Sequence, residues 1–385
     1  MDIQDFIEAH PERVETPCFV VDETLIQRNL QILDSVQERT GAKIMLALKG
    51  FAMFHLFPLI RRTLKGVCAS SPHEARLGRE EFGREVHACA AAFSESDIRE
   101  LIPLCDHITF NSFSQYARFK PLIVASGNPI RMGMRINPEH SETETPIYDP
   151  CVPGSRLGVV IDQFDEKALE GISGLLFHTL CEKNADALER TLEALLKKFG
   201  RFLNRMTWIN FGGGHHITRA DYDVERLCRI ITEFKKKYDL EVYLEPGEAV
   251  ALNTGFLVAS VLDVIHNQID IAILDASAST HMPDVIEMPY RPHIIHSGKP
   301  QEKPFTYRLG GPSCLAGDII GDYSFDRPLR PGDKLVFTDM AHYSMVKTNT
   351  FNGIKLPSIA LFNALSNDFQ IIRKFGYADY RSRLS

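Results

Sequence analysis

The run that decides the fold is KIMLALKGF, residues 43–51. Its apolar part is short and stops at a glycine, which predicts a buried strand rather than a helix. The strand ends at Lys49. A lysine in that place is either a solvated strand end or an amine that takes part in chemistry, and the rest of the chain decides between the two.

Similar runs recur along the first two-thirds of the chain: GVCAS (66–70), EVHAC (85–89), HITF (107–110), IRMGMRI (130–136), GLLFHTL (174–180), MTWINF (206–211) and EVYLEP (241–246). Helical patterns separate most of them, over residues 22–40, 72–82, 113–124, 182–200 and 220–238. Strands that alternate with helices pair in parallel, and eight such units close a (β/α)8 barrel. The sequence therefore predicts an α/β fold with such a barrel.

Local signals mark the ends of two of these helices. Asp22 is in position to be an N-cap, and Gly41 to be a C-terminal stop. In the segment SPHE, Ser71 as N-cap, Pro72 at the first helical position and Glu74 three residues after the cap predict a capping box.

The hydrophobic pattern of the sequence changes near residue 250. Short β-branched and aromatic runs replace the helical patterns, at residues 256–265, 269–274, 305–310 and 334–339, which predicts a mainly antiparallel β domain. We therefore expect a barrel over residues 22–250 and a second domain built from 1–21 and 251–385. Within the barrel, residues 138–160 are rich in Pro, Ser and Thr and predict a functional loop.

The amino-acid composition excludes several classes of function. The chain has 385 residues, of which 44% are hydrophobic and 24% charged, and a formal net charge of −7, which is typical of a globular protein and argues against a nucleic-acid partner. No apolar run approaches the roughly 18 residues of a membrane span, and the acidic N-terminus does not resemble a secretory signal. The eight cysteines include no CxxC pair, and no HExxH spacing occurs. We therefore expect free thiols, no metal site, no membrane contact and a cytoplasmic location.

The active site of such a barrel lies at the carboxyl ends of its strands. Lys49 ends the first predicted strand, His178 lies on the sixth, NFGGGHH (210–216) follows the seventh and EPGE (245–248) follows the eighth. Each of these has a plain structural explanation when taken alone. Together they surround the carboxyl-terminal opening of the barrel with four kinds of group: an amine, an imidazole, a carboxylate and a glycine loop that can approach an anion. Pyridoxal 5'-phosphate requires this set of groups.

The motifs that carry a family resemblance are LALKGF, CASSPHEARLG, LLFHTLCE, NFGGGHHIT, LEPGEAV, GPSCLAGD and DMAHYSMVKTNTFNG, in this order. With them the chain resembles, from about residue 16 to about residue 365, the fold-type III pyridoxal-phosphate decarboxylases. This alanine racemase-like group includes ornithine, arginine and diaminopimelate decarboxylases. More narrowly, FHTLCE, EPGEAV and the segment 275–292 resemble the carboxynorspermidine (carboxyspermidine) decarboxylases.

The resemblance implies an enzyme of polyamine biosynthesis that uses pyridoxal 5'-phosphate to convert carboxynorspermidine or carboxyspermidine to norspermidine or spermidine and CO2. It also implies a homodimer with shared active sites, in which the β domain completes the site and the dimer interface.

The resemblance further implies a role for each matching residue. Lys49 would bind the cofactor covalently, and Cys314 would act in the partner's site to protonate Cα. The implied cofactor contacts are Lys49, His178, Gly213, Gly214, Glu245, Gly247 and Tyr343. In these contacts His178 stacks on the ring, the glycines and Tyr343 bind the phosphate, and Glu245 pairs with the pyridine nitrogen. The implied substrate contacts are Glu248, Asp284 and Asp318, with Glu287 as a further partner for the far ammonium group.

Two positions depart from the usual family pattern. Relatives usually read EPGR or EPGK, so Glu248 puts an anion where they carry a cation. This acid favours a substrate with ammonium groups along its arm over one with a distal carboxylate, such as diaminopimelate. Relatives often read GAY where this chain has Ala341, His342 and Tyr343, which leaves the phosphate contact of Tyr343 open.

Two other functions stay open at this point. One is a diaminopimelate or arginine decarboxylase on the same scaffold, which the acid at position 248 disfavours. The other is a non-catalytic regulatory homologue, against which the retained Lys49, Glu245 and Cys314 argue.

Overall fold

The structure is a computed structural model that describes residues 2–385. It forms two compact units: one runs to Arg28 and resumes at Ala251–Ser385, and the other is Asn29–Val250. The strands are β1 Cys18–Asp22, β2 Lys43–Ala47, β3 Gly66–Ala69, β4 Glu85–Cys89, β5 His107–Phe110, β6 Arg131–Arg135, β7 Ile172–Leu176, β8 Trp208–Asn210, β9 Glu241–Leu244, β10 Gly255–Asn267, β11 Ile269–Leu274, β12 Phe305–Gly310, β13 Ile319–Phe325, β14 Lys334–Thr338, β15 Ser358–Asn363 and β16 Asp368–Arg373. The helices are α1 Ile3–Ala9, α2 Glu23–Thr40, α3 Phe57–Ile60, α4 Pro72–Leu77, α5 Glu95–Leu101, α6 Phe113–Ala125, α7 Ala185–Phe199, α8 Val224–Tyr238, α9 Glu248–Ala251, α10 Ala278–His281, α11 Asp284–Glu287 and α12 Tyr377–Arg381.

Strands β2 to β9 close into a barrel. Each strand pairs in parallel with the next, and β9 returns to β2 through the Lys43–Tyr243 and Ile44–Leu244 register pairs. Every strand predicted for this region is present, with ends that shift by a few residues. The predicted eight-stranded barrel is therefore confirmed.

The predicted strand at 174–180 is instead Ile172–Leu176, so His178 lies beyond the strand rather than on it. Phe177 N still donates to Asn210 O at 3.0 Å. The chain then turns towards the glycine loop, where Gly213 N donates to His178 Nδ1 at 2.8 Å. A contact distant in sequence thus ends a strand that local β propensity would continue.

The connection between β6 and β7 is the long loop that the sequence predicted. Instead of an α-helix, the described chain forms short 3-10 turns there, at Pro146–Tyr148, Ile161–Gln163 and Glu166–Leu169. Most other barrel strands are followed by the predicted helices.

The predicted helix signals act largely as expected. Asp22 Oδ1 accepts a backbone hydrogen bond from the first turn of α2 at 2.8 Å, and Gly41 follows the end of α2 with φ +64°. Ser71 Oγ accepts from Glu74 N at 3.2 Å. The Glu74 carboxylate, however, accepts from Ser70 N at 2.6 Å. The predicted capping box is therefore closed on one side only.

One indole fills much of the barrel interior. Trp208 is 1% exposed, and its Nε1 donates to Ser173 Oγ at 3.0 Å. A Cβ on Gly174 would approach the indole to 2.0 Å, and a Cβ on Gly133 would approach it to 2.5 Å. Strands β6 and β7 therefore carry glycine where the single tryptophan needs the space.

The amino-terminal end of the barrel is closed by charged and aromatic side chains. Lys43 Nζ lies 3.0 Å from Glu85 and 3.1 Å from Glu241. The imidazoles of His87 and His107 stack with their centroids 3.8 Å apart and their planes 7° apart. A nitrogen of each imidazole and a carboxylate oxygen of Glu85 lie within 4.8 Å of one another.

The other unit contains a sheet of order β13-β12-β11-β10-β1-β15-β16, with β14 also paired to β10. The β1–β15 and β11–β12 pairs are parallel, and the other pairs are antiparallel. Side chains alternate between two cores, since Phe19 and Leu257 belong to one and Val20 and Val258 to the other. The predicted mainly antiparallel β domain is confirmed. Among the described residues, no helix has both the length and the apolar character to cross a membrane.

Candidate active site

A cavity of about 470 Å³ opens at the carboxyl ends of the barrel strands. Its lining includes Lys49, Arg135, His178, Gly213 and Glu245. The structure thus brings together four side chains or glycines that the sequence placed at strand ends, and adds an arginine.

Lys49 lies in a turn just beyond β2, where Gly50 N donates to Ala47 O at 3.0 Å. The Lys49 Nζ is 3.4 Å from His178 Nε2. Gly50 is required because a Cβ there would approach Gly247 Cα to 2.9 Å. The amine belongs to the cavity, which favours the chemical explanation of this lysine over a solvated strand end.

His178 is oriented by the glycine loop. Its Nδ1 accepts the hydrogen bond from Gly213 N, at 2.8 Å. Burial, and then the charge of Lys49, hold the pKa of His178 well below its ordinary value, so the imidazole is neutral at pH 7. With Nδ1 accepting from Gly213 N, the ring is held so that Nε2 faces Lys49 Nζ.

Glu245 follows β9 and is positioned by Asn210. The Asn210 Nδ2 donates to Glu245 Oε1 at 2.6 Å, and its Oδ1 accepts from Gly212 N at 2.8 Å. Asn210 is 1% exposed, so water does not compete for either bond. The sequence analysis did not identify Asn210, although a polar residue inside the apolar run MTWINF is a signal.

The glycine loop leaves no room for side chains. Gly214 has φ +82°, and a Cβ on it would lie 1.9 Å from Leu180 O. A Cβ on Gly213 would lie 2.5 Å from Glu245 O, and one on Gly247 would lie 2.9 Å from a backbone oxygen of β2. Backbone alone therefore forms this wall, as an anion cradle requires.

Arg135, Cys68 and Cys89 also line the cavity, and the sequence analysis did not identify them. All three lie at or beside the last residue of a barrel strand, which is the signal that could have found them. Burial raises the pKa of Cys89 to about 11 and that of Cys68 well above its ordinary value. Cys68 and Cys89 are therefore neutral thiols. The third residue, Arg135, donates from Nη2 to His178 O at 3.5 Å.

Among the predicted substrate contacts, Glu248 belongs to the barrel unit. It follows Gly247 directly as the first residue of α9. Its Oε2 lies 2.9 Å from His216 Nε2.

Asp318 lies in the β domain and is 3% exposed. Its carboxylate accepts from Ser277 Oγ at 2.8 Å, from Ala278 N at 2.7 Å and from Ser313 N at 3.2 Å. Both oxygens are engaged within the domain, so Asp318 orders the loop that carries Cys314. Its predicted contact with substrate stays a prediction.

The remaining predicted residues also belong to the β domain. Cys314 is exposed, and Tyr343 has φ +46°. Asp284 Oδ1 lies 2.5 Å from Lys347 Nζ, which Glu287 also contacts. The structure thus places two carboxylates around one ammonium group, while the part of these residues in the active site stays a prediction.

Comparison with known proteins supports the same interpretation. Residues 18–341 match the family model described as pyridoxal-dependent decarboxylase, C-terminal sheet domain. The chain is 47% identical over 371 residues to carboxyaminopropylagmatine decarboxylase of Synechocystis sp., covering 96% of this chain and 95% of that protein. It is 43% identical over 383 residues to carboxynorspermidine/carboxyspermidine decarboxylase of Campylobacter jejuni, covering 97% of this chain and 99% of that protein.

The crystal structure of carboxynorspermidine decarboxylase from Campylobacter jejuni, complexed with norspermidine, has a TM-score of 0.89 and 42% identity over 96% of this chain and 100% of that chain. The fold and the family resemblance inferred from the motifs are confirmed. The chain belongs to the family of pyridoxal-dependent decarboxylases.

Proposed function

We propose that this enzyme removes CO2 from a carboxypolyamine, carboxynorspermidine or carboxyspermidine, and releases norspermidine or spermidine. The cavity in which Lys49, His178 and Glu245 meet carries the proposal. The substrate is supported by the name of the Campylobacter jejuni relative and by the norspermidine bound in its structural neighbour.

The residues around the cavity fit pyridoxal 5'-phosphate. Lys49 would attach it covalently, His178 would lie against its ring, and Glu245 would pair with its ring nitrogen. The backbone of Gly213, Gly214 and Gly247 would hold the phosphate, with Tyr343 as a further donor. When bound, the cofactor supplies an electron sink for the charge left at Cα as CO2 departs.

The protein's own groups prepare this chemistry. Asn210 fixes the Glu245 carboxylate through a bond of 2.6 Å, and an anion so placed favours a protonated ring nitrogen. His178 Nε2 lies 3.4 Å from Lys49 Nζ, so the imidazole borders the amine that would attach to the cofactor.

A proton must return to Cα after CO2 leaves. We assign this step to Cys314, which is exposed on its loop, acting in the partner's site of a homodimer. Mixing Lys49→Ala with Cys314→Ala protein tests the assignment, because each mixed dimer would regain one intact site. Activity should then recover to about a quarter of the wild-type value, whereas mixtures that stay inactive would rule out sharing.

A second substrate candidate is carboxyaminopropylagmatine, named for the Synechocystis relative at 47% identity. Its arm ends in a guanidinium group rather than an ammonium group. Glu248 and Asp284, as proposed substrate contacts, suit either cation. Diaminopimelate is disfavoured because its distal carboxylate would meet the acid at position 248.

The decisive experiment is a turnover panel with the purified holoenzyme. Incubation with pyridoxal 5'-phosphate should give an absorbance band near roughly 420 nm. CO2 release is then measured with the two carboxypolyamines, carboxyaminopropylagmatine, diaminopimelate and arginine. Lys49→Ala should lose turnover, and Lys197→Ala, at an exposed lysine on α7, should retain it. Turnover by Lys49→Ala, or a loaded wild type inert on every carboxypolyamine, would overturn the proposal.

We further infer a cytoplasmic enzyme. All eight cysteines are unpaired, as in proteins of reducing compartments. Cell fractionation tests this location, and recovery with an extracellular fraction would contradict it.

A further inference from the structure

The loop that carries Cys314 leads beyond the proposed function. Cys314 itself is exposed, yet the backbone around it is fixed. Ser313 N donates to Asp318 Oδ2 at 3.2 Å, and Leu315 N donates to Ser313 Oγ at 3.3 Å. Between them, Cys314 N donates to Asn352 Oδ1 at 2.9 Å. Three successive amides of this loop are therefore bound by side-chain oxygens, and only the thiol projects freely.

Asn352 is the acceptor that fixes the loop to a distant part of the β domain. Asp318 lies within the loop, whereas Asn352 follows Cys314 by 38 residues. Its backbone is left-handed, with φ +57°, a conformation that asparagine tolerates better than most residues with a side chain. The residue type at this position thus serves both the turn and the hydrogen bond to Cys314.

The turn that contains Asn352 is anchored on one side by Asn349. The Asn349 Oδ1 accepts from Phe351 N at 2.9 Å, which orders the turn from within. Asn349 Nδ2 donates to Ser279 O at 2.9 Å, and its backbone N donates to Thr280 O at 3.0 Å. These two bonds tie the turn to α10.

Residues 380–383 cover the same turn from another side. Arg383 Nη1 donates to Oγ1 of the buried Thr350. A Cβ on Gly353 would lie 3.4 Å from the Tyr380 ring, so this ring of α12 lies against the turn. The segment around Asn352 is therefore held between α10 and residues 380–383.

We propose that Asn352 is a positioning residue for the Cys314 thiol, and that residues 380–383 hold Asn352 in place. The inference rests on the proposed function, in which Cys314 returns a proton to Cα. A proton donor must come within hydrogen-bond reach of the atom that it protonates, and a displacement of about 1 Å can lower a rate about a hundredfold. An exposed thiol has little packing to supply this precision, so the hydrogen bonds to its loop supply it.

Two substitutions separate the Asn352 acceptor from its backbone conformation. Asn352→Gly removes the acceptor and tolerates the left-handed conformation, and Asn352→Asp keeps both features. The matched control is Asn367→Gly, at an exposed asparagine with φ +56°. Arg383→Ala releases the bond to the turn, and Arg381→Ala, at an exposed arginine of α12, is its control.

Steady-state kinetics are measured with carboxynorspermidine, after cofactor absorbance and thermal melting have confirmed that each holoenzyme is loaded and folded. We expect kcat to fall roughly tenfold in Asn352→Gly while KM changes less than about twofold, because Cys314 is assigned to proton transfer and not to substrate binding. Arg383→Ala should lower kcat roughly two- to fivefold. Asn352→Asp and both controls should stay within about twofold of wild type.

Hydrogen–deuterium exchange of the same proteins measures the loop without reference to activity. The peptide that contains the Cys314 amide should exchange roughly two- to tenfold faster in Asn352→Gly, as expected for loss of one hydrogen bond. It should exchange as in wild type in Asn352→Asp and Asn367→Gly.

The outcomes separate this inference from the proposed function. A wild-type holoenzyme that turns over no carboxypolyamine, or a Cys314→Ala enzyme with full activity, contradicts the proposed function, and this inference falls with it. An active wild type that depends on Cys314 but keeps its kcat in Asn352→Gly overturns this inference alone. Unchanged exchange in Asn352→Gly, or an equal loss of kcat in Asn352→Asp, does the same. An unchanged kcat in Arg383→Ala overturns the part assigned to residues 380–383.

Discussion

Asn210→Asp tests the clamp on Glu245 with the smallest change of shape. The aspartate can still accept the hydrogen bond from Gly212 N, which Asn210 Oδ1 accepts at 2.8 Å. Its second oxygen replaces the Nδ2 donor that lies 2.6 Å from Glu245 Oε1. Two carboxylate oxygens would then face each other at a buried position, since Asn210 is 1% exposed.

The loss of stability in Asn210→Asp follows from the repulsion between its new carboxylate and that of Glu245. Two like charges about 4 Å apart repel by about 4 kcal/mol at the effective dielectric of a partly buried site. The carboxyl pair escapes this repulsion by keeping one proton, which the carboxyl groups of the unfolded chain release above about pH 4. Between about pH 4 and pH 7 the folded variant then binds more protons than the unfolded chain, so its stability falls as the pH rises.

The assay is urea unfolding of wild type, Asn210→Asp and the exposed surface control Asn204→Asp from about pH 4 to pH 7, the range in which the folded variant holds the extra proton. We expect Asn210→Asp to approach wild type at the acid end and to fall up to about 4 kcal/mol below it at the alkaline end. The cofactor absorbance should weaken over the same range. Asn210→Ala should lose about 1–3 kcal/mol at every pH, because it removes hydrogen bonds without adding charge.

The reasoning fails if the deficit of Asn210→Asp is independent of pH or shrinks as the pH rises. A pH-dependent deficit of equal size in Asn204→Asp would also refute it, since the effect would then come from net charge and not from the contact with Glu245.

Three further results are expected. Gly213→Ala puts a Cβ 2.5 Å from Glu245 O, so it should lose cofactor absorbance and about 1–3 kcal/mol of unfolding free energy, while Gly376→Ala, with no atom within 4 Å of its Cβ, should lose neither. Trp208→Ala should cost about 3–5 kcal/mol in denaturant unfolding, and a smaller loss would mean that the barrel interior collapses around the vacancy. Burial opposes ionisation of Glu85, yet hydrogen bonds from its imidazole and ammonium neighbours lower its pKa to about 2. The stability it contributes is therefore present above about pH 4.3 and lost towards pH 2, and Glu85→Gln should flatten this acid limb in a pH series of melting temperatures.

Much of the candidate site could be predicted from the positions of its residues relative to the predicted strands. Lys49 and Glu245 each follow a short apolar run, and parallel strands in a closed barrel bring all their carboxyl ends to one mouth. Residues far apart in sequence could therefore be assigned to one site without coordinates. The same argument covers Gly213 and Gly214, because consecutive glycines after a strand predict a backbone wall.

Other features depend on contacts that no local pattern contains. The departure of His178 from its strand follows from the bond to Gly213 N, and the role of Asp318 follows from donors 40 or more residues away along the chain, at Ser277 and Ala278.

The amino-acid sequence by itself determined the order of strands and helices, the barrel and the place of Lys49 at the end of a barrel strand, since hydrophobic periodicity and glycine positions are local properties. Only the tertiary structure decided which polar groups meet: Asn210 with Glu245, Gly213 with His178 and His216 with Glu248. Buried donors and acceptors must find partners wherever the folded chain offers them, and that choice is made in space rather than along the sequence.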